Sequence, residues 1–362
     1  MWEIRKYKEA DEEGIAELSR ICEGGPKPLD RWGNTYTASP FGYFIAIVES
    51  EGKIIGHMAS VTLRMKIGQE TRLGSRAEAL MVHPNFRRKG IFLNTGKFLT
   101  AEIGKQKVVC SYCVPNEIAR SGHLKYGWFD VCYIPLLARD TNPLYKLLWK
   151  SKVMDTSIYA AFRNSIFPHK RIKKITRFLL KMPFIIRKSS SPQATTHQDN
   201  TQIRSIKSFD NRFDSFWEAA STNYGIAIVR NAEYLNWRYS NNRYFKYHVL
   251  VAEKKNRLLG YIILGTSQLH KRVGMIVDLL TLKDDGSIAQ QMISESIKWF
   301  KNEGIYRIDS LVLGNRLYLE TLVKNGFRVS GKVPLLARVN SQELDDKFLR
   351  DFRNWYLTFG DY

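Results

Sequence analysis

Acidic residues are scarce in this 362-residue chain: 35 Asp and Glu stand against 56 Lys and Arg, a formal charge of +21. Long apolar runs are missing as well. No stretch approaches the ~20 consecutive apolar residues that a membrane-spanning helix needs, and the opening Met-Trp-Glu-Ile-Arg-Lys lacks the apolar core of a signal peptide. Cysteine is nearly as rare. Four Cys in this length cannot form a disulfide scaffold. Cys110 and Cys113 make one C-x-x-C, but no second pair or nearby His completes a tetrahedral zinc set. Their i, i+3 spacing on a strand also points the thiols to opposite faces. Buried free thiols are favoured over a redox or metal role, and no metal is expected. The setting these absences imply is cytoplasmic and reducing.

The excess of base calls for a polyanionic partner: nucleic acid, an anionic membrane face or a phosphate-rich ligand. Its location along the chain narrows the choice. Residues 141–188 hold 12 Lys or Arg and a single acid, Asp155, so 48 residues carry +11. Residues 189–200, Ser-Ser-Ser-Pro-Gln-Ala-Thr-Thr-His-Gln-Asp-Asn, read as a flexible linker. The basic insert and linker, 141–200, divide two globular segments, 1–140 and 201–340, and an aromatic tail, 341–362, follows.

The two segments repeat one another. At an offset of 199, residues 115–139 and 314–338 share eight identities, including Asn116/Asn315, Gly127/Gly326 and the run Pro135-Leu-Leu-Ala-Arg139/Pro334-Leu-Leu-Ala-Arg338. Average composition gives roughly one or two. Upstream, Ile47–Gly56 parallels Val251–Gly260, each an apolar strand, a polar turn and a second apolar strand. Within the first copy the pattern predicts a helix around 11–22, a hairpin at 43–49 and 53–65, and a strand at 76–82. A helix at 91–104, with Phe92, Thr95, Leu99 and Ile103 on one apolar face, a strand at 107–114, a helix at 116–126 and a strand at 128–138 follow. Strands interleaved with helices indicate an α/β domain on a mixed sheet.

Chemistry concentrates in Glu78-Ala-Leu-Met-Val-His-Pro-Asn-Phe-Arg-Arg-Lys-Gly-Ile-Phe92. A strand ending at Pro84 feeds a short basic turn, and Gly90 opens a helix. Backbone N–H groups of such a turn converge on one spot, the helix dipole adds to their pull, and Arg87, Arg88 and Lys89 supply charge for a diphosphate.

These residues resemble the GNAT superfamily of acyl-CoA-dependent N-acetyltransferases. The family's pyrophosphate loop, [QR]-x-x-G-x-[GA] after a V-x-P strand end, is matched by Val82-His-Pro84 and Arg87-Arg-Lys-Gly90-Ile91-Phe92, with Phe92 in place of Gly or Ala. The family's second motif is matched by Asn116, Ala119, His123, Gly127 and Trp128, with His123 where a Tyr is usual. The likeness covers ~1–140 with both motifs and 201–338 with the second alone. It implies an α/β (α+β) fold of two GNAT-like domains, each a mixed, mostly antiparallel sheet flanked by helices.

The resemblance also implies a mechanism: an acceptor amine attacks the acetyl-CoA thioester directly in a ternary complex. Backbone N–H groups of Leu80, Met81 and Val82 would polarise the thioester carbonyl. Glu78, two residues before Leu80 and so on the same strand face, is the candidate base, or else a surface or structural carboxylate. His123 is the candidate acid, although it could orient a water, act as base or be a satisfied non-catalytic His; Tyr126 is the fallback donor. Asn116 either hydrogen-bonds the pantetheine arm or simply caps its helix. In the second copy, Leu322 occupies the acid position, and Thr281-Leu-Lys-Asp-Asp-Gly-Ser-Ile288 puts Asp where Arg should be, which repels a diphosphate. That copy reads as a degenerate partner whose Glu233–Tyr239 segment lines an acceptor cleft or, more simply, packs the core.

The expected activity is acetyl-CoA-dependent N-acetylation of a small amine. An amino sugar destined for a surface polysaccharide or lipid is suggested by the Trp-Arg-Tyr segment and the Leu-Thr-Phe-Gly-Asp tail. The competing readings are aminoacyl transfer from charged tRNA, with the insert holding the RNA, and a non-catalytic acyl-CoA sensor. The insert itself carries apolar stripes (Ile172, Ile175, Phe178, Leu179, Met182) among basic residues. A helical connector is favoured there, then peripheral contact with an anionic membrane through 141–188, with nucleic acid the least favoured partner because no nucleic-acid-binding signature accompanies the charge. Oligomeric state is not legible in the sequence.

Overall fold

The computed structural model describes residues 1–23, 32–33, 35–141, 201–242, 245–266 and 272–362. The first unit runs β1 (Glu3–Lys6), α1 (Glu12–Glu23), β2 (Tyr43–Ser50), β3 (Lys53–Ile67), β4 (Glu70–Val82), α2 (Ile91–Gly104), β5 (Val108–Cys113), α3 (Glu117–His123) and β6 (Phe129–Asp140). The second runs β7 (Gln202–Ile206), α4 (Arg212–Ala220), β8 (Ile226–Ile228), α5 (Ala232–Leu235), β9 (Tyr247–Lys254), β10 (Arg257–Thr266), β11 (Val273–Thr281), α6 (Gly286–Asn302), β12 (Arg307–Leu313), α7 (Arg316–Lys324) and β13 (Arg328–Val339). A closing stretch adds α8 (Asp346–Arg350) and β14 (Leu357–Thr358). The two hairpins read from the sequence are both present. Each turns through two residues at positive φ, Glu51-Gly52 in one and Lys255-Asn256 in the other, as a tight hairpin matched to strand twist requires.

Among the described residues fourteen strands form one sheet: twelve follow the order β1-β2-β3-β4-β5-β13-β6-β12-β11-β10-β9-β7, while β8 pairs with β3 and β14 with β12. The centre of this order is an exchange. β13, last strand of the second unit, lies against β5 of the first, and β6, last strand of the first, lies against β12 of the second. The two exchanged strands pair antiparallel: Tyr133 opposite Pro334, Ile134 opposite Val333, Pro135 opposite Lys332. Since positions 199 apart correspond, swapping the copies maps the first of these pairs onto the third. A pseudo-two-fold axis therefore passes between Ile134 and Val333, the intramolecular equivalent of an isologous dimer contact.

One apolar core runs through both units, from Ile15 and Leu18 on α1 to Met292 and Phe300 on α6. The aromatic tail belongs to it. Trp355 and Tyr356 are fully buried, and Gly314, at φ 80°, passes so close beneath that any side chain there would meet the Trp355 carbonyl. Buried Arg230 ties the tail down, its Nε 3.0 Å from Asp278 Oδ2 and its Nη2 2.6 Å from Asp361 Oδ2, while Tyr261 donates to Asp278. Cys110 and Cys113 sit in different packing clusters on opposite faces of β5, and burial pushes both thiols up, Cys110 to about 12. The basic insert and linker, from residue 142 to 200, lie outside the described residues. Among the described residues no helix is long and apolar enough to cross a membrane.

Candidate active site

The basic turn after β4 folds as an open anion cradle. Pro84–Phe86 make one tight turn, Arg88 and Gly90 both take positive φ (64° and 78°), and Gly90 is the N-cap of α2. Gly90 has no side chain to accept the first N–H groups of α2, so these donors face outward from a helix 14 residues long. Arg87 Nε donates to Val82 O at 3.2 Å, Lys89 Nζ lies 5.0 Å over the Phe86 ring, and Arg88 is exposed. On α2, Ile91 rather than Phe92 shares the buried stripe with Thr95, Leu99 and Ile103. Phe92 turns toward α3, where Gly122 leaves room: a Cβ there would fall 2.4 Å from the ring. The extra bulk at position 92 is thus met by an absent side chain on the facing helix.

Beside the cradle the sheet opens. Parallel pairing of β4 with β5 starts at Leu73–Val108 and ends at Arg76–Tyr112, yet β4 continues to Val82. That last stretch has no strand neighbour on its β5 side among the described residues, leaving backbone donors in the gap unpaired by the ladder. Against β3 the register also slips: Ala59 faces Glu78 but His57 faces Met81, with Ala79 at φ 52°. This bulge takes Leu80 out of the ladder. It also corrects the expectation that Glu78 and Leu80 share a face. The extra residue puts Glu78 with Ala59, His57 and Met81 on one face, while Leu80 packs with Met58, Leu99 and Ile103 on the α2 face.

A residue that the sequence reading passed over holds the bulge. His57 is fully buried, its Nδ1 2.7 Å from Ala79 O, and Trp32 Nε1 lies 3.3 Å from its Nε2. An acceptor role for Nε2 leaves the ring proton on Nδ1, aimed at the bulge carbonyl. The signal was a lone imidazole in the otherwise apolar Ile54-Ile-Gly-His-Met-Ala59.

The named side chains divide between two faces. Glu78, about one quarter exposed, pairs with buried Arg76 (Oε1 to Nη2, 2.8 Å) on the face toward α1 and the second unit. Burial opposes charge on Arg76, but the Glu78 carboxylate holds its guanidinium protonated. His123 and Tyr126 lie on the α2 and α3 face among Phe92 and Trp128, with Tyr126 Oη 2.5 Å from His123 Nδ1. Burial pushes the His123 imidazole down to about 4 and the Tyr126 phenol well above its usual range. His123 is therefore neutral near pH 7, and an imidazolium acid is not available there. Tyr126 keeps its proton. Asn116 caps α3, its Oδ1 accepting from Ala119 N at 2.8 Å.

The second copy closes the same features. Asp285 caps α6, accepting from Ser287 N and Ile288 N at 2.8 and 3.2 Å, so an internal carboxylate takes the donors that Gly90 leaves free. Asp284 is bound by Tyr224 and Asn315 at 2.6 and 2.7 Å, and Leu322 is fully buried. The Glu233–Tyr239 segment buries Tyr234, Leu235, Trp237 and Tyr239 at the junction of the units.

Residues 3–129 match the family model of the Acetyltransferase (GNAT) domain. No curated protein sequence gives a significant match. Among solved structures, a probable N-acyltransferase from Enterococcus faecalis V583 is similar at TM-score 0.61 and 11% identity, covering 94% of this chain and 73% of that one. N-myristoyltransferase of Saccharomyces cerevisiae, solved with bound myristoyl-CoA, is similar at 0.59 and 11%, over 93% and 79%. A tandem GNAT protein from the clavulanic acid biosynthesis pathway is similar at 0.57 and 10%, over 94% of this chain and 99% of that one.

Proposed function

We propose, for a chain that belongs to the GNAT superfamily and carries two GNAT-like domains, an acetyl-CoA-dependent N-acetyltransferase acting on a small amine, with its active site in the first unit. One observation carries the reading: the uncapped N-terminus of α2 under Arg88 and Gly90 opens onto the gap between β4 and β5. The first feature suits a diphosphate and the second suits an extended pantetheine arm. Acyl-CoA would supply the activated acyl group. Arg87, Arg88, Lys89 and the N–H groups from Gly90 to Phe92 would hold its diphosphate, and Asn116, its Oδ1 spent on the cap, keeps Nδ2 to offer. Leu80, released from the ladder by the bulge, offers a backbone donor to the thioester oxygen, with Met81 and Val82 beside it.

Glu78 faces the second unit and is the group placed to take the proton that an ammonium acceptor must lose, directly or through water. Tyr126, its phenol kept protonated by burial, would offer a hydrogen bond to the departing thiolate while His123 Nδ1–H donates to its oxygen, and the thiolate would take its proton from solvent after release. The degenerate second copy, its anion site filled by Asp285, serves as a wall of the acceptor side. An amino sugar suits the short list of acceptors, and acetyl as the transferred group is the working choice over longer acyl chains.

Calorimetry with acetyl-CoA and myristoyl-CoA tests the donor. Acetyl-CoA binding at least ten-fold weaker in Arg88→Glu is expected, and an unchanged affinity would remove the cradle from the argument. Release of free CoA with an amine panel then tests the reaction. A protein that binds acetyl-CoA and never releases CoA is a sensor instead.

A further inference from the structure

Buried polar atoms in folded proteins almost always find a partner, so a group of orphans calls for a ligand or water. Such orphans are scattered through the described residues, and one group of them surrounds Arg76 on the Glu78 side of β4. Arg76 is 3% exposed; its Nη2 reaches Glu78, but Nε and Nη1 have no hydrogen-bond partner among the described residues. Tyr234 Oη, Trp237 Nε1 and Tyr239 Oη, all buried, are also unsatisfied among the described residues; Asp361 Oδ1 is unsatisfied too, but as an acceptor it calls for a donor such as water and not for an anion. Three of these side chains come from one short stretch, where α5 runs into a π-helical turn, Asn236–Ser240. Wide turns of that kind recur at functional sites because they re-aim side chains. Charge agrees with the hydrogen-bond count. Arg238, on the turn, spends its Nε on Gly360 O at 3.0 Å and has no ion pair among the described residues. The positive charge of Arg76 reaches it, and Arg76 in turn interacts with Tyr112 and Tyr234. Of these two guanidinium groups only Arg76 has a bonded carboxylate among the described residues, Glu78. Asp361 is engaged through Oδ2 by Arg230 and Thr358.

We infer that the acceptor amine carries an anionic group, carboxylate or phosphate, which binds between Arg76 and Arg238 with the Tyr234 hydroxyl as a further donor. This rests on the acyltransferase reading for its chemistry, but the site itself does not. Glu78 and Arg76 are neighbours on one strand face, so an anion held by Arg76 leaves the amine of the same small molecule within reach of Glu78. The second unit would then select the acceptor: the face it lost as a cofactor site is compensated by Tyr234 and Arg238 delivered onto the first unit.

The test uses matched probes on the full chain. Calorimetry compares β-alanine with its amide and glucosamine 6-phosphate with glucosamine, the first pair reporting a carboxylate and the second a phosphate. The anionic member of at least one pair is expected to bind ten-fold tighter or more. Arg238→Met, at a partly exposed position, should erase that preference, as should Arg76→Lys if it folds. Acetyl-CoA titration of the same variants is the control. No anionic preference in either pair, or a preference surviving Arg238→Met, overturns the inference. Failure of acetyl-CoA to bind wild type would strike the enzymatic reading and leave the anion result standing separately.

Discussion

His123 should make the protein sensitive to mild acid. Its imidazole is 5% exposed, and burial pushes it from the ordinary 6.5 down to about 4. The unfolded chain therefore binds a proton between those values that the folded chain refuses. Stability from this group is fully present above pH 6.5 and is lost as pH falls through about 4. At 1.36 kcal/mol per pH unit of separation the whole effect is about 3 kcal/mol, of which about 2 kcal/mol is gone by pH 5. His123→Leu removes the proton-binding site and the hydrogen bond to Tyr126. Since the Tyr126 phenol does not titrate in this range, the lost bond adds a constant cost of about 1 kcal/mol at every pH. Urea unfolding of both proteins at pH 8, 6 and 5 separates the two effects. The gap between wild type and variant, largest at pH 8, should shrink by about 2 kcal/mol at pH 5 and change sign there. A gap independent of pH would show that His123 is not held neutral by burial, as would an imidazole NMR resonance titrating near 6.5.

His57→Phe should lower kcat at least ten-fold with little change in the affinity for acetyl-CoA, because the bulge carbonyl loses its donor. His57→Asn, which keeps an N–H near Ala79 O, should recover part of the rate; equal damage from both would make His57 a packing residue. Asp361→Ala leaves Arg230 buried with one carboxylate fewer and should cost about 3–5 kcal/mol in denaturant unfolding. A cost below about 1 kcal/mol would mean that the tail is held by apolar contacts alone. Asp285→Ala removes a cap and should cost about 1 kcal/mol. It should not create a second acetyl-CoA site by calorimetry, because no basic turn accompanies that helix.

The sequence carried the local elements well because each had a local cause. Glu51-Gly52 and Lys255-Asn256 mark hairpins, Gly90 marks the start of α2, and Asn116 marks α3. Residues of one short stretch decide such features. The loop Arg87–Phe92 and the strand before it were legible for the same reason. Three things were not. The bulge at Ala79 has no Gly or Asn to announce it, since it is imposed by His57 on the neighbouring strand, and so the Glu78 face was misjudged. The protonation of His123 depends on Phe92, Tyr126 and Trp128 closing around it, which free imidazole chemistry does not show. The exchange of β6 and β13 follows from pairing between segments 199 residues apart, although the shared Pro-Leu-Leu-Ala-Arg run lay in the strands that make it.

That exchange has a kinetic side. The first 140 residues supply a sheet with a vacancy, because the strand beside β5 is not made until residues 328–339 leave the ribosome. Until then β5 lacks the β13 partner of the finished sheet and should expose an edge of the kind that recruits other chains. Pairing across so long a stretch of sequence is slow, since loop closure must precede any gain from contact. Folding of the two units should therefore be one event rather than two, with a single unfolding transition despite the duplicated design. Expression of 1–140 by itself should yield aggregate, whereas mixing it with 201–362 during refolding should rescue both halves.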